Sequence, residues 1–205
     1  MKKGEIITYE FEGNLYVNTT NRCDFACSFC LRQNGDGVGT ADTLWLEREP
    51  TCDEILADID RRDLSRYNQL VFCGYGEPTY RFDDICRVID RLHAEGKHPF
   101  IRMDTNGTGC LINGRDICPE CKGRFDKLSI SLNAPTKEQF DALCHPRFPD
   151  AYEAMKEFTR RVTQYVPEVM MTVVDRDLTP EEIEECGRIC RSLGASYRVR
   201  AYIAD

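Results

Sequence analysis

The 205-residue chain has no stretch of about 18 consecutive apolar residues, the length a membrane-crossing helix needs. Its first residues, Met-Lys-Lys-Gly-Glu, lead into no apolar h-region, so the pattern of a secretory leader is missing. Blocks of basic residues are missing too: 35 acidic side chains outnumber 27 basic ones, for a formal net charge of −8. Binding driven by phosphate contacts needs a concentrated positive surface. Nucleic acid is therefore an unlikely partner on charge alone, a local rim at Arg198 and Arg200 aside. Histidine is scarce, at three residues, and Trp45 is the single tryptophan. No internal repeat or low-complexity tract is visible. These absences predict a soluble cytoplasmic protein with no membrane partner, and 41% hydrophobic residues suffice for one buried core.

Cysteine is the opposite case, with twelve residues. A chain this long without a leader does not read as a secreted disulfide scaffold. Three thiols fall in the segment Asn-Arg-Cys-Asp-Phe-Ala-Cys-Ser-Phe-Cys, at Cys23, Cys27 and Cys30. Thiolate is the soft ligand of iron–sulfur clusters, and four of them close a cluster off. Three leave one iron with an open position, as a catalytic zinc keeps its water position. The competing reading is a zinc site or a set of buried thiols. Zinc knuckles pair two short Cys or His units, however, and His93 and His98 are not spaced as a ligand pair.

The run Gly-Asn-Leu-Tyr-Val-Asn-Thr-Thr, residues 13–20, reads as a strand that stops just before Cys23. A second strand-like run at 69–73 ends in Gly74-Tyr75-Gly76-Glu77-Pro78-Thr79. Together these motifs resemble the radical SAM superfamily, with Tyr75 where that family's Gly-Gly-Glu-Pro motif has its second glycine. The resemblance implies a [4Fe-4S] cluster on Cys23, Cys27 and Cys30, with S-adenosylmethionine on the open iron. It implies Phe29 beside the adenine. Gly74, Tyr75, Gly76 and Glu77 would lie at the methionyl end, where glycines permit close backbone approach and Glu77 faces the ammonium. The implied chemistry is reductive cleavage to a 5'-deoxyadenosyl radical that abstracts hydrogen from an unknown substrate, fed by an electron donor such as flavodoxin or ferredoxin. An activase acting on a protein or peptide partner, and a non-enzymatic iron–sulfur or zinc module, remain as alternatives.

Periodicity predicts helices at 52–60, 83–95, 137–143, 151–165 and 180–193, the last with Pro180 at its first position. Strands are predicted at 13–20, 69–73, 99–104, 127–133, 168–174 and 197–203. Such alternation implies an α/β fold with a parallel sheet and right-handed crossovers. The resemblance makes it a partial (βα)6 barrel in one domain over residues 1–205, with the cluster loop at 21–34. Residues 34–50 are a long connection, either a lid over the cluster or a surface loop anchored by Trp45. Ligands gather at the carboxyl ends of parallel strands. By resemblance, Asp104 and Asn106 fall near the ribose. Ser131 and Asn133, on one face of their strand, can reach ribose hydroxyls or the methionyl carboxylate, and Val173 and Tyr202, with Val174 and Ala201, pack the adenine. Arg32, Arg115 and Arg147 are either contacts for an anionic substrate or solvated.

Cys52, Cys73, Cys86, Cys186 and Cys190 sit on apolar stripes and read as core. Cys110, Cys118 and Cys121 lie in a loop-rich stretch and are read either as a second metal site, completed by Cys144 or His145, or as loop thiols or a redox pair. The segments Leu-Trp-Leu-Glu-Arg-Glu-Pro-Thr (44–51), Ile-Asn-Gly-Arg-Asp-Ile (112–117) and Leu-Cys-His-Pro-Arg-Phe (143–148) are similar to the TatD-linked radical SAM proteins. That similarity implies association with a TatD-type nuclease.

Overall fold

The protein is described by a computed structural model at residues 3–33, 35–176 and 178–201. Among these, seven strands form one sheet in strict chain order. The elements are β1 (Thr8–Phe11), β2 (Asn14–Val17), α1 (Cys52–Asp60), β3 (Leu70–Phe72), α2 (Phe82–Ala94), β4 (Ile101–Thr105), α3 (Gly109–Asn113), β5 (Lys127–Ser131), α4 (Lys137–Cys144), α5 (Ala151–Val162), β6 (Glu168–Val174), α6 (Pro180–Ser192) and β7 (Ser196–Arg200). Strands β2 to β7 are parallel, as expected of six strand–helix units, and the α/β partial-barrel class holds.

The seventh strand is an addition. β1 pairs antiparallel with β2, Phe11 opposite Asn14, through a two-residue turn at Glu12 and Gly13 with φ of 47° and 73°. Two positive φ values match the turn that suits strand twist, but Glu-Gly is a weak signal beside Asn-Gly or Asp-Gly. The sequence thus shows the 13–20 run as a strand without showing its hairpin partner β1.

Helix starts follow local chemistry. Thr51 and Thr179 each accept from the backbone N–H three residues on, and Glu54 and Glu182 return the bond, giving two capping boxes. Each such cap is worth about 1 kcal/mol.

Strand alternation divides the sheet into two faces. Leu15, Val17, Leu70, Phe72, Ile101, Met103, Leu128, Ile130, Val169 and Met171 pack under the helices against residues such as Ile55, Ile89 and Phe158. Their neighbours Tyr16, Arg102, Asp104, Ser129, Ser131, Thr172 and Arg198 occupy the helix-free face. That second face is apolar over β1–β3, where Tyr9, Tyr16 and Val71 cluster, and carries polar side chains from β4 onward; its carboxyl end lies beside the cysteine loop.

Candidate functional site

The cysteine loop leaves β2 and hangs on the end of α4. Ala26 N–H donates to Cys144 O at 3.0 Å, Ser28 N–H to Leu143 O at 2.9 Å, and Arg147 N–H to Asp24 O at 2.8 Å. Phe25 is buried edge-on against Phe140, ring centres 5.5 Å apart. Cys23, Cys27 and Cys30 are free and half-buried. Burial, with the charge of Glu77 behind it, pushes the Cys23 thiol up to about 12. Burial also raises Cys30. Cys27 is raised chiefly by a hydrogen bond with the Cys144 thiol, then by burial. A fourth thiol thus adjoins the triplet, where the local spacing offered none. The three loop sulfurs are not among donors packed within 4.8 Å of one another, the packing a single ion would need. In a four-iron cluster each thiolate binds a different iron, so wider spacing suits the cluster and not mononuclear zinc.

Asp24 and Glu77 bind this loop to the strand ends. The Asp24 carboxylate accepts from Asn106 Nδ2 at 2.7 Å and from Thr108 Oγ1 at 2.8 Å. Glu77 Oε1 accepts from Thr79 N (3.1 Å), Thr79 Oγ1 (2.7 Å) and Thr105 Oγ1 (2.6 Å), and Oε2 from Asn106 N at 2.7 Å. Both carboxylates are 4% exposed. Burial pushes Glu77 up to about 7 despite four donors. The Glu77 carboxylate thus joins the Gly74–Pro78 segment to the end of β4, while the Glu77 N–H donates to Arg22 O at 2.8 Å and the Asn106 amide to Asp24. Asp24, Thr79, Thr105 and Thr108 were missed. Each is an ordinary cap or turn residue in sequence, and partners up to 84 residues apart leave no local pattern.

The glycines of the Gly74–Pro78 segment have a related reason. A Cβ on Gly76 would stand 2.4 Å from Thr20 O and 2.6 Å from Arg22 O. One on Gly74 would stand 2.0 Å from Asn18 Oδ1. Close approach is required here, but to the segment leading into the cysteine loop.

Tyr75 lies between the cysteine loop and the segment that follows it. Its hydroxyl donates to Gly35 O at 2.9 Å, and its ring meets Trp45 edge-on at 5.2 Å. With Tyr9, Tyr16, Ala41, Leu44 and Val71 it forms a second core on the helix-free face. Residues 35–50 are therefore an anchored cover over the β1–β3 side. Arg32 links the cover to the cysteine loop, stacking over Trp45 at 5.6 Å and donating to Tyr75 O at 3.2 Å. Arg115 is committed to Asp83 and Glu120.

The remaining strand-end residues separate by face. Ser131 pairs in register with Thr172, and Thr172 with Arg198, all on the helix-free side. Asn133 follows in left-handed backbone, φ 64°, its amide donating to Cys144 Sγ at 3.4 Å. Its Oδ1 is buried without a hydrogen-bond partner among the described residues. Asp104 faces the same side beside Arg102, Nε to Oδ1 2.9 Å, and burial raises its carboxyl. Phe29 packs half-buried at the core margin. Val173 is fully buried under the helices, so packing is the role its position gives it. Tyr202 lies outside the described residues.

Cys110 and Cys118 come together with Asp116, while Cys121 is fully buried and donates to Ile117 O at 3.6 Å. A hydrogen bond with the Cys118 thiol holds the Cys110 thiol down to about 7. No described helix is long and apolar enough to cross a membrane.

The sequence pattern of the Radical SAM superfamily matches residues 17–189. The chain is 29% identical over 126 residues to the dual-specificity RNA methyltransferase RlmN of Oleidesulfovibrio alaskensis, covering 57% of this chain and 32% of that one. It is 30% identical over 140 residues to dual-specificity RNA methyltransferase RlmN 2 of Myxococcus xanthus, covering 61% and 33%. It thus spans about a third of the length of these relatives. Among solved structures, a radical SAM methyltransferase from Sphaerobacter thermophilus shares the fold at TM-score 0.64 and 19% identity, covering 95% of this chain and 68% of that one. Streptococcus suis SuiB bound to precursor peptide SuiA does so at TM-score 0.66 and 13% identity, covering 92% and 39%. The exclusion of nucleic acid by net charge is not supported by the RNA methyltransferases among these relatives. Net charge is a whole-molecule quantity and says little about one face.

Proposed function

The chain belongs to the radical SAM superfamily, and on that premise we propose that Cys23, Cys27 and Cys30 hold a [4Fe-4S] cluster whose open iron takes S-adenosylmethionine. The observation that carries this reading is a loop of three free thiols at the carboxyl end of the parallel sheet, fixed to β4 by Asp24 and to α4 by main-chain bonds. The unpartnered Asn133 Oδ1 beside it is an acceptor that a bound donor would satisfy. Held by Cys23, Cys27 and Cys30, such a cluster would supply, from an external electron donor, the electron for reductive cleavage of S-adenosylmethionine, the chemistry that yields a hydrogen-abstracting 5'-deoxyadenosyl radical. The protein's own part is positional. Asp24, Asn106 and Glu77 hold the loop. Ser131 and Asn133 present polar groups to the nucleoside, and the cover at 35–50 shields the β1–β3 side from water.

Methyl transfer to RNA is the second reading, favoured by the names of the relatives and by Arg198, on the helix-free face in register with Thr172. An activase role has no comparable support. One cytoplasmic domain, a flavodoxin or ferredoxin donor and a TatD-type nuclease partner complete the proposal, the last on sequence motifs alone. Anaerobic reconstitution, reduction and addition of S-adenosylmethionine test the core claim. Formation of 5'-deoxyadenosine is expected, and its absence with an intact cluster would overturn the reading.

A further inference from the structure

A second cluster of side chains with metal-ligating chemistry is built from α3 and the turn that follows it, and none of its three residues belongs to the cysteine loop. α3 carries Cys110, and the turn after it brings back Asp116 and Cys118. One donor atom from each lies within 4.8 Å of the others. Asp116 Oδ1 accepts from Cys110 Sγ at 3.8 Å and from Cys118 N–H at 3.1 Å. Its other oxygen pairs with the Arg161 guanidinium on α5. Cys118 is fully buried, whereas Cys110 and Asp116 are half-buried, so the group has one wall in the core and one open side.

We propose that Cys110, Asp116 and Cys118 form a site for one thiophilic divalent cation of the zinc class. Two thiolates and a carboxylate suit zinc, with metal–sulfur bonds of about 2.3 Å and metal–oxygen bonds of about 2.0–2.2 Å. Tetrahedral angles then place the donors about 3.5–3.8 Å apart. The three donors, within 4.8 Å of one another, therefore close by about 1.3 Å at most, a side-chain adjustment. Water takes the fourth position on the open side. Three anionic donors around a dication leave one negative charge, which Arg161 offsets while orienting the Asp116 carboxylate, as outer partners of metal ligands do. Magnesium and calcium prefer all-oxygen sites. A second iron–sulfur cluster is excluded here by donor count, since Cys121 points elsewhere and only two thiols remain.

The ion would tie α3 and the 116–118 turn, and through Arg161 α5, behind the strand end that carries Asn106 and Thr108. Binding the folded chain alone, it would stabilise that base.

The test uses the 205-residue chain carrying C23A/C27A/C30A, so that loop thiols do not compete, kept reduced and titrated with cobalt(II). One equivalent should give a thiolate-to-cobalt charge-transfer band with tetrahedral d–d intensity, removed by zinc. C110S, a half-buried position, should abolish most of the band. D116N should weaken binding tenfold or more, and C121A should leave it unchanged. Zinc should raise the melting temperature of the parent and not of the C110S chain. Near-UV circular dichroism verifies that each variant is folded. No band in a folded chain with Cys110 and Cys118 both free by alkylation, a pale octahedral spectrum, or a band that survives C110S would each overturn the proposal.

Discussion

Asp24 and Asn106 meet across 82 residues of sequence, the carboxylate accepting from the side-chain amide at 2.7 Å with both residues buried. This contact holds the residue after Cys23 to the end of β4. A buried hydrogen bond to a charged group is worth about 1.5–3 kcal/mol, and an abandoned partner costs about as much. Asp24→Ala should therefore lower stability by about 2–4 kcal/mol. Iron retained per chain after a chelator chase should fall severalfold. Unchanged retention would show that the loop does not need this anchor.

Glu77 makes stability depend on pH in an unusual direction for a carboxylate. Its folded-state value of about 7 lies above the ordinary 4.5. The stabilising contribution of its proton is complete below about pH 4.5 and is lost as pH rises through about 7. In cluster-free protein, the stability of wild type minus that of Glu77→Gln should fall by about 1–3 kcal/mol between pH 5 and pH 7.5. Urea unfolding at the two pH values reads this directly, and a constant difference would refute it.

Gly76 and Gly35 provide a matched pair. A Cβ at Gly76 meets two backbone oxygens below 3.0 Å, which cannot rotate away, whereas one at Gly35 meets nothing within 4 Å. Gly76→Ala should cost about 2–4 kcal/mol, within the range of strongly destabilising substitutions, and Gly35→Ala should stay within about 0.5 kcal/mol. Thermal melts of both variants separate the cases.

Cys27 and Cys144 share a hydrogen bond between thiols. In cluster-free protein, oxidised glutathione should link them: two thiols lose two electrons and two protons, and the glutathione disulfide becomes two glutathione thiols. Peptide mapping by mass spectrometry should find this pair. The cluster-loaded protein should resist, because Cys27 is then occupied. A Cys27–Cys144 bond formed equally in both states would place Cys27 outside the ligand set.

What could be read in the sequence followed from periodicity and spacing. β6 and α1 lie where alternating and 3.6-residue patterns put them, and the free-thiol loop follows β2. What could not be read were side-chain pairings over long separations. Glu77 is conspicuous beside Pro78, but nothing local shows that its oxygens are taken by Thr105 and Asn106. Val173 differs from Val174 only in parity, and a strand's parity relative to the helices is decided by packing. Cys121 matched a Cys-x-x-Cys spacing, yet the 3₁₀ turn Cys118–Cys121 sends its sulfur inward and Asp116 takes its place.

The anchors of the cysteine loop are delivered in a fixed order during synthesis. Cys23, Cys27 and Cys30 leave the ribosome well before Asn106 and Thr108, and earlier still than the Leu143 and Cys144 carbonyls that receive the loop's amides. Domains fold as units once their chain is complete, at some 5–20 residues per second. For several seconds, the thiols are exposed on an unanchored segment. The loop therefore takes its anchored geometry only after α4 has been made.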